Sequence, residues 1–159
     1  MYKRQANAFA HSIKYSKNSK LCCVLGRNEE KVNSFAKKHN CLPYFDLEKF
    51  LSSEIDAVYI ATPHDSHFFY SMEAIKRKLH VLCEKPLGLN LNEVKEIYVL
   101  LSDKKDYFFE AIAYRSHPQT LKLKELLEDR NFGKVKKVEA NFGFKVKKIK
   151  KDSRLFNKS

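Results

Sequence analysis

The stretch Ala57-Val58-Tyr59-Ile60-Ala61-Thr62-Pro63-His64 decides the fold, because an apolar run of five residues ends there in a polar turn. A continuous apolar run of this length, bounded by turn residues, is typical of a strand that is buried on both faces. Such strands occur in parallel sheets whose two faces are covered by helices. We therefore predict a parallel sheet that contains residues 57–61.

The same pattern recurs on both sides of this stretch. Three further apolar runs predict strands at residues 21–25, 80–83 and 107–109. Segments in which apolar residues have helical spacing separate the strands, and they begin at good helix-capping residues. These caps are Asn28, Asp46, Asp65 or Ser66, and Asn90. The alternation of strands and helices predicts an α/β fold with a doubly wound parallel sheet.

The pattern changes after His117-Pro118. Apolar residues at helical spacing predict one more helix, which contains Leu121, Leu123, Leu126 and Leu127. Apolar and polar residues then alternate over residues 138–146, which predicts a half-buried strand of an open sheet. We therefore expect one domain over residues 1–116 and the first helix and strand of an α+β domain over residues 117–159.

Composition and charge limit the class of protein. The chain has 159 residues, of which 43% are hydrophobic, and a formal net charge of +12. Its one dense lysine run has no interleaved aromatic residue and no nucleic-acid-binding motif is present, so a nucleic-acid partner is not expected. The four cysteines form no CxxC pair, and no apolar run approaches the roughly 20 residues of a membrane span. We expect a soluble, cytoplasmic protein without a metal site.

Polar and turn-forming residues follow four of the predicted strands. They are Gly26-Arg27-Asn28, Thr62-Pro63-His64, Glu84-Lys85-Pro86 and Glu110-Ala111. Doubly wound sheets bind ligands outside the carboxyl ends of their strands, so these residues predict a cofactor crevice. Structural alternatives exist for each. Arg27 also fits a solvated turn, and Glu84-Lys85 fits a surface ion pair. His67 also fits an ordinary surface histidine.

Three motifs in this order closely resemble the Gfo/Idh/MocA oxidoreductases. The motifs are ATPHDSH at 61–67, HVLCEKPLG at 80–88 and EAIAYRSHPQ at 110–119. Within the family, the chain resembles the dihydrodiol dehydrogenase and glucose-fructose oxidoreductase branch from about residue 9 to residue 157. The resemblance implies a Rossmann-like domain and an NAD(P)-dependent oxidoreductase that acts on a sugar or polyol by hydride transfer.

The resemblance also implies roles for individual residues. Glu84 and Lys85 are expected beside the nicotinamide, with Lys85 as the catalytic group, because an ammonium stabilises or protonates a nascent alkoxide. The bond between Lys85 and Pro86 is often cis in the family. The implied cofactor-binding residues are Arg27, Thr62, Pro63, His67, Glu84, Lys85, Tyr114 and Arg115, of which Tyr114 and Arg115 form the floor of the site.

Arg27 bears on the choice between NADP and NAD. It follows a predicted strand that ends without an acidic residue. A guanidinium at this position suits the 2′-phosphate of NADP better than the free ribose of NAD. We therefore expect NADP or NAD as the cofactor, with NADP favoured.

The chain departs from the family in two places. Family members begin with a strand and a glycine-rich turn, whereas the four glycines here lie at 26, 88, 133 and 143. In the strand order 3-2-1-4 the unmatched first strand is central, so its two neighbours are expected to have unpaired edges. The family's catalytic aspartate and histidine, which follow the segment matched by residues 153–157, are also unmatched.

Two expectations follow from these departures. The first is an oxidoreductase segment that is inactive alone, because the phosphate loop and the catalytic Asp and His are absent. The alternative is a non-catalytic interaction fragment that pairs with another chain through exposed strand edges. The partner in that case is a complementing chain or a second copy in a homo-oligomer, since the second sheet commonly forms the oligomer surface in this family.

Overall fold

A computed structural model of the chain describes residues 2–102, 107–129, 131 and 133–143. It divides into two compact units, Met1–Tyr114 and Arg115–Ser159, so the division falls two residues before the predicted end of the first domain. Within the described ranges, no helix is long and apolar enough to cross a bilayer.

The first unit alternates helices and strands. Its helices are α1 (Tyr2–Ser12), α2 (Glu29–His39), α3 (Leu47–Leu51), α4 (His67–Lys76) and α5 (Leu91–Leu101). Its strands are β1 (Cys23–Leu25), β2 (Leu42–Tyr44), β3 (Ala57–Ile60), β4 (His80–Cys83) and β5 (Phe108–Glu110). All the strand pairs in this unit are parallel: β1 with β2, β3 with β4, and β4 with β5. The predicted α/β class with parallel strands is confirmed.

Three of the predicted capping residues begin helices. The side chains of Asn28, Asp46 and Asn90 each accept a hydrogen bond from the backbone N–H three residues later. These contacts satisfy N–H groups that have no partner within the helix. Ser66 also precedes a helix, α4, but its side chain makes no cap bond there. Local sequence signals therefore placed three helix starts correctly.

The prediction that the strands are buried on both faces is wrong. In β3 and β4 only every second side chain is buried, and no side chain of β1 is fully buried. The buried side chains pack against α4 and α5 and form the core, which includes Val58, Ile60, Val81, Cys83, Ala74, Ile75 and Ile97. The other face of these strands lines a large cavity, which accounts for its partial exposure.

The parallel strands form two separate sheets, one of β1 and β2 and one in the order β3-β4-β5. Among the described residues no strand lies between β1 and β3, so each of these two strands has one unpaired edge. A cavity of about 1390 Å³ lies there and is lined by all of residues 22–27 and 57–63. The unpaired edges that the strand order predicted are therefore present, at β1 and β3.

Strand β2 was not predicted, because its central residue is Pro43. The N–H of Leu42 donates to the carbonyl of Cys22 at 2.9 Å, and the N–H of Gly26 donates to the carbonyl of Tyr44 at 3.2 Å. Leu42 and Tyr44 thus direct their backbone groups towards β1. Pro43 directs its own backbone outward, where the ladder needs no N–H, and the edge position tolerates it.

Helix α1 contacts elements on both sides of the cavity. Asn7 Oδ1 accepts a hydrogen bond from Lys38 Nζ of α2 at 3.1 Å and lies 2.9 Å from His39 Nε2. Two residues later, Phe9 stacks on Tyr59 of β3 with ring centroids 4.1 Å apart. The helix therefore connects the two sheets through side chains rather than through a shared strand.

The second unit contains helix α6 (Pro118–Glu128). His117 Nδ1 accepts the N–H of Gln119 at 3.2 Å, so this histidine caps the helix. The strand predicted over residues 138–146 is not found in residues 138–143, and the rest of it lies outside the described residues. A strand needs a ladder partner, and the described residues of this unit provide none.

Burial of Cys83 gives the folded protein a pH dependence. Burial raises the pKa of the Cys83 thiol to about 12, and the thiol is fully buried at the end of β4. A free thiol in the unfolded chain ionises near pH 8.5. As the pH rises above that value, only the unfolded state releases this proton, so the free energy of unfolding falls.

We expect this contribution to lower the stability of the wild type by about 1–2 kcal/mol between pH 8 and pH 10. Urea denaturation of the wild type and of Cys83→Ala at both pH values measures it. The variant is expected to lose less stability than the wild type over that interval. Equal losses in the two proteins would show that Cys83 does not carry this dependence.

Candidate functional site

The predicted site residues follow the carboxyl ends of three strands. Arg27 is exposed just after β1, Thr62 and Pro63 follow β3, and Glu84 and Lys85 follow β4. Strands β3 and β4 pair in register up to their last residues, so the loops that follow them are neighbours. Strand β1 belongs to the other sheet, across the cavity.

The loop after β3 is fixed by hydrogen bonds of its own. The Ser66 hydroxyl oxygen lies 2.7 Å from the carbonyl oxygen of Pro63 and 3.0 Å from Thr62 Oγ1. The backbone N–H of Ser66 also donates to the Pro63 carbonyl, at 3.0 Å. These bonds close a short 3-10 turn, His64–Ser66, directly before α4. Thr62 and Pro63 therefore have a defined position at the end of the strand.

His67 connects this loop to the loop after β4. Its side chain is 2% exposed, with Nδ1 2.7 Å from the Pro86 carbonyl oxygen and Nε2 2.9 Å from the Thr62 carbonyl oxygen. Both neighbours are acceptors, so an imidazole with one N–H donates to one of them and an imidazolium donates to both. His67 is therefore not a surface histidine, and its two ring nitrogens face backbone carbonyls.

Glu84 is held by a tyrosine of the neighbouring strand. The Tyr59 hydroxyl donates to Glu84 Oε1 at 2.6 Å. Burial, together with this hydrogen bond and the carboxylate charge, raises the pKa of the Tyr59 phenol well above its usual value, so the phenol remains a donor. Sequence reasoning missed Tyr59, because nothing local pairs it with a residue 25 positions away.

Lys85 and the residues after it complete the second loop. The Lys85 side chain is exposed, and the Lys85–Pro86 peptide bond is cis, as the family resemblance implied. Tyr114 and Arg115 lie in a 3-10 turn, Ala113–Ser116, and both are exposed. Tyr114 ends the first unit and Arg115 begins the second. Their expected place on the floor of the site stays a prediction.

The residues present fit two parts of a dinucleotide, a phosphate group and the nicotinamide. The exposed guanidinium of Arg27 suits a phosphate, and the loops with Glu84 and Lys85 offer an acceptor and an ammonium. The cavity between the sheets reaches Arg27 on one side and Thr62 and Pro63 on the other.

Parallel strands with covering helices and polar loops at the carboxyl ends define the class of nucleotide-binding α/β domains. The family model described as "Oxidoreductase family, NAD-binding Rossmann fold" matches residues 3–112. The chain belongs to this family, the Gfo/Idh/MocA oxidoreductases, as its motifs indicated.

Similar proteins span greater lengths than this chain. Trans-1,2-dihydrobenzene-1,2-diol dehydrogenase of Danio rerio is 35% identical, over 76% of this chain and 36% of its own length. D-xylose 1-dehydrogenase (NADP(+)) 2 of Haloferax volcanii is 33% identical, over 77% and 38% respectively. The crystal structure of a putative NADPH-dependent oxidoreductase from Desulfitobacterium hafniense has a TM-score of 0.73 at 25% identity, with 79% of this chain and 37% of that chain covered. The chain thus spans under two-fifths of the length of these proteins.

Replacing His67 is expected to destabilise the first unit. His67→Phe keeps a ring of similar shape but leaves the carbonyls of Thr62 and Pro86 without a side-chain donor. We expect the free energy of unfolding to fall by about 1–3 kcal/mol, the usual cost of an unsatisfied buried polar group. Urea denaturation measures this change.

His64→Phe provides the matched control, because His64 is exposed three residues earlier, in the 3-10 turn before α4. A surface substitution of this kind is expected to change stability by no more than about 0.5 kcal/mol. Equal effects of the two substitutions would contradict the role assigned to His67.

Proposed function

We propose that this chain forms the nicotinamide-binding part of a dehydrogenase in which Lys85 is the catalytic group. The observation that carries the proposal is the connection between the loops after β3 and β4. Buried His67 lies against a carbonyl of each loop, and this holds Thr62 and Pro63 next to Glu84 and Lys85. Such a fixed pair of loops at adjacent strand ends suits the binding of a flat ring beside a reacting group.

In this proposal His67 positions the loops and does not itself contact the cofactor. Both of its ring nitrogens lie within hydrogen-bond distance of backbone carbonyls, and the side chain is buried. Tyr59 acts in a similar way on Glu84, whose carboxylate accepts a hydrogen bond from the Tyr59 hydroxyl at 2.6 Å. Thr62, Pro63 and Glu84 are then the groups that line the nicotinamide.

Lys85 has the chemistry that carbonyl reduction requires. A bound nicotinamide supplies or accepts the hydride. The Lys85 ammonium is exposed in the loop after β4, where it can stabilise negative charge on a substrate oxygen and donate the proton that this oxygen gains on reduction. Among the described residues of the two loops, Lys85 is the only lysine or arginine.

We further propose a sugar or polyol as the substrate. The similar proteins of Danio rerio and Haloferax volcanii are named for a diol and for D-xylose, and both names describe dehydrogenases. Substrates of this kind have a carbon that carries both a hydroxyl and a hydrogen, and hydride leaves from that carbon as the hydroxyl loses its proton. These names support the substrate class and do not identify one member of it.

NADP is the cofactor that we favour over NAD. The Arg27 guanidinium is exposed two residues after the end of β1, and no acidic residue ends that strand. A guanidinium forms strong, charge-assisted hydrogen bonds with a phosphate, whereas an acidic residue is the usual partner of a free ribose. The NADP(+) and NADPH in the names of two similar proteins support the same preference.

Nucleotide fragments test the role of Arg27 without the nicotinamide and the full pyrophosphate. We expect adenosine 2′,5′-bisphosphate to bind at least about tenfold more tightly than 5′-AMP, the affinity difference that one charge-assisted hydrogen bond produces. Calorimetric titration measures both affinities. Arg27→Ala is expected to remove the difference, and titrations with NADPH and NADH extend the test to the intact cofactors.

Lys95→Ala is the control, because it removes an exposed positive charge from α5 instead. It is expected to leave the preference for the 2′-phosphate intact. Equal affinity of the wild type for the two fragments would refute the preference for NADP. If neither NADPH nor NADH binds to the chain, the proposed cofactor-binding function itself is refuted.

A further inference from the structure

A second, smaller pocket lies beside the end of α1, and we call it the basic pocket. It has a volume of about 250 Å³, and its polar lining consists of Lys14, Ser19, Lys20 and His39. The rest of the lining is apolar. Lys20 also lines the large cavity between the sheets, but Lys14 and His39 do not. The basic pocket therefore has a polar wall of its own.

Three segments of the first unit form the basic pocket. Lys14 lies in the 3-10 turn Ile13–Tyr15 that follows α1, and His39 is the last residue of α2. Lys20 belongs to the connection between that turn and β1. The pocket is thus at the amino end of β1, whereas Arg27 follows the carboxyl end of this strand. A ligand in the basic pocket is therefore separate from a phosphate bound by Arg27.

The charged side chains that line the basic pocket are lysines. Lys14 and Lys20 are exposed, and neither forms an ion pair with another described residue. Burial, with the charges of neighbouring basic groups, lowers the pKa of the His39 imidazole; these neighbours are Lys38, Lys14 and His11. The pocket therefore has a positive charge that no ion pair within the described residues neutralises.

His39, in the wall of this pocket, has an unpaired nitrogen. Its Nε2 lies 2.9 Å from Asn7 Oδ1, which also accepts a hydrogen bond from Lys38 Nζ at 3.1 Å. A lysine only donates, so this Asn7 atom is an acceptor and Nε2 of His39 carries the N–H. Nδ1 is buried and has no hydrogen-bond partner within the described residues. A further polar group beside this wall is therefore favourable.

Helix ends account for only part of the positive charge. The carboxyl ends of helices attract cations, and Lys38 and Lys14 lie in the last turns of α2 and of the 3-10 turn after α1. Lys20 is in neither of these elements, yet it lines the same pocket. Two ammonium groups at one small space suggest an anion as the ligand, since it relieves their mutual repulsion.

We propose that the basic pocket binds one phosphate group, held by the ammonium groups of Lys14 and Lys20 and by the Ser19 hydroxyl. A phosphate has a charge of about −1.5 to −2 at neutral pH and three strong acceptor oxygens, which matches two ammonium groups and one hydroxyl. A carboxylate offers one charge and two oxygens. The Ser19 hydroxyl is 3.4 Å from Asn18 Oδ1, too far for a strong hydrogen bond, so it can donate to the ligand.

The size of the pocket limits the ligand. Pockets that bind drug-sized molecules begin at roughly 300 Å³. The basic pocket, at about 250 Å³, suits a phosphate group rather than a whole nucleotide. The inference goes beyond the proposed dehydrogenase function and does not depend on it.

Calorimetric titration of the full chain with inorganic phosphate, at constant ionic strength, tests the proposal. We expect one saturable site in the basic pocket with a dissociation constant of about 1 mM or below. The double variant Lys14→Gln, Lys20→Gln loses two charge-assisted hydrogen bonds and is expected to bind at least about tenfold more weakly. Absence of saturable binding by the wild type overturns the proposal, as does loss of this binding in Arg27→Ala, which would place the phosphate at the other end of β1.

The double variant Lys17→Gln, Lys31→Gln is the matched control. It removes the same charge from two exposed lysines that do not line the basic pocket. Its affinity for phosphate is expected to stay within about twofold of the wild type, because exposed charges are screened by salt. Equal weakening in the two double variants would show a general attraction to the basic chain and would contradict a specific site.

His39 provides a second readout in the wild type, which does not depend on the folding of any variant. Phosphate beside Lys14 opposes the positive charges around His39, so saturating phosphate is expected to raise the pKa of His39. NMR titration of the histidine ring signals with and without phosphate measures this change. The ring signals of His64, in the loop after β3, are expected not to respond. A pKa of His39 that phosphate leaves unchanged would place the ion elsewhere and overturn the proposal.

The phosphate group belongs either to free inorganic phosphate or to a small organic ester. Titrations with inorganic phosphate, glycerol 3-phosphate and glycerol distinguish these sources. Tighter binding of the ester, with the same dependence on Lys14 and Lys20, assigns the pocket to organic phosphates, and tighter binding of the inorganic ion assigns it to free phosphate. Both results support a phosphate site. Equal affinity for glycerol and glycerol 3-phosphate would show that the phosphate is not recognised.

Discussion

Each residue of a parallel strand directs its N–H and C=O to one side and the next residue directs them to the other, so an internal strand needs two partners. Strands β1 and β3 each have one described partner. The cavity, the partial exposure of the strand faces around it and the division into two sheets all follow from this constraint. Helix α1 contacts both sides, through Asn7 on α2 and Phe9 on β3.

The separation of the two sheets between β1 and β3 also separates the two ends of the candidate site. Arg27 follows β1 in one sheet, whereas Thr62, Glu84 and Lys85 follow strands of the other. The loops of the second sheet are held by His67 and by the core between the sheet and α4 and α5. The nicotinamide end thus has local support, but the distance from it to Arg27 depends on how the two sheets are held together.

The sequence predicted the features that local chemistry determines. Asn28, Asp46 and Asn90 cap helices as expected, because a cap depends only on residues within one turn. The apolar runs located four strands to within two residues. Their burial was overestimated, because burial depends on what packs against each face, and one face of these strands lines the cavity.

Long-range features were beyond local reasoning. Strand β2 escaped prediction because Pro43 argues against a strand unless its place at an edge is known. The contact of Tyr59 with Glu84 and the burial of His67 between two carbonyls join residues from different strands and loops. The alternating pattern at residues 138–143 did not produce a strand, since alternation describes a face and supplies no ladder partner.

The orientation of Pro43 has a consequence for self-association. Leu42 and Tyr44 direct their backbone groups inward, so the outward side of β2 has Pro43 as its only strand residue, and proline has no N–H. An incoming strand finds no donor there with which to begin a regular ladder. The outer edge of β2 therefore resists the strand addition from which amyloid-like fibres grow. The inner edges of β1 and β3 lack this protection.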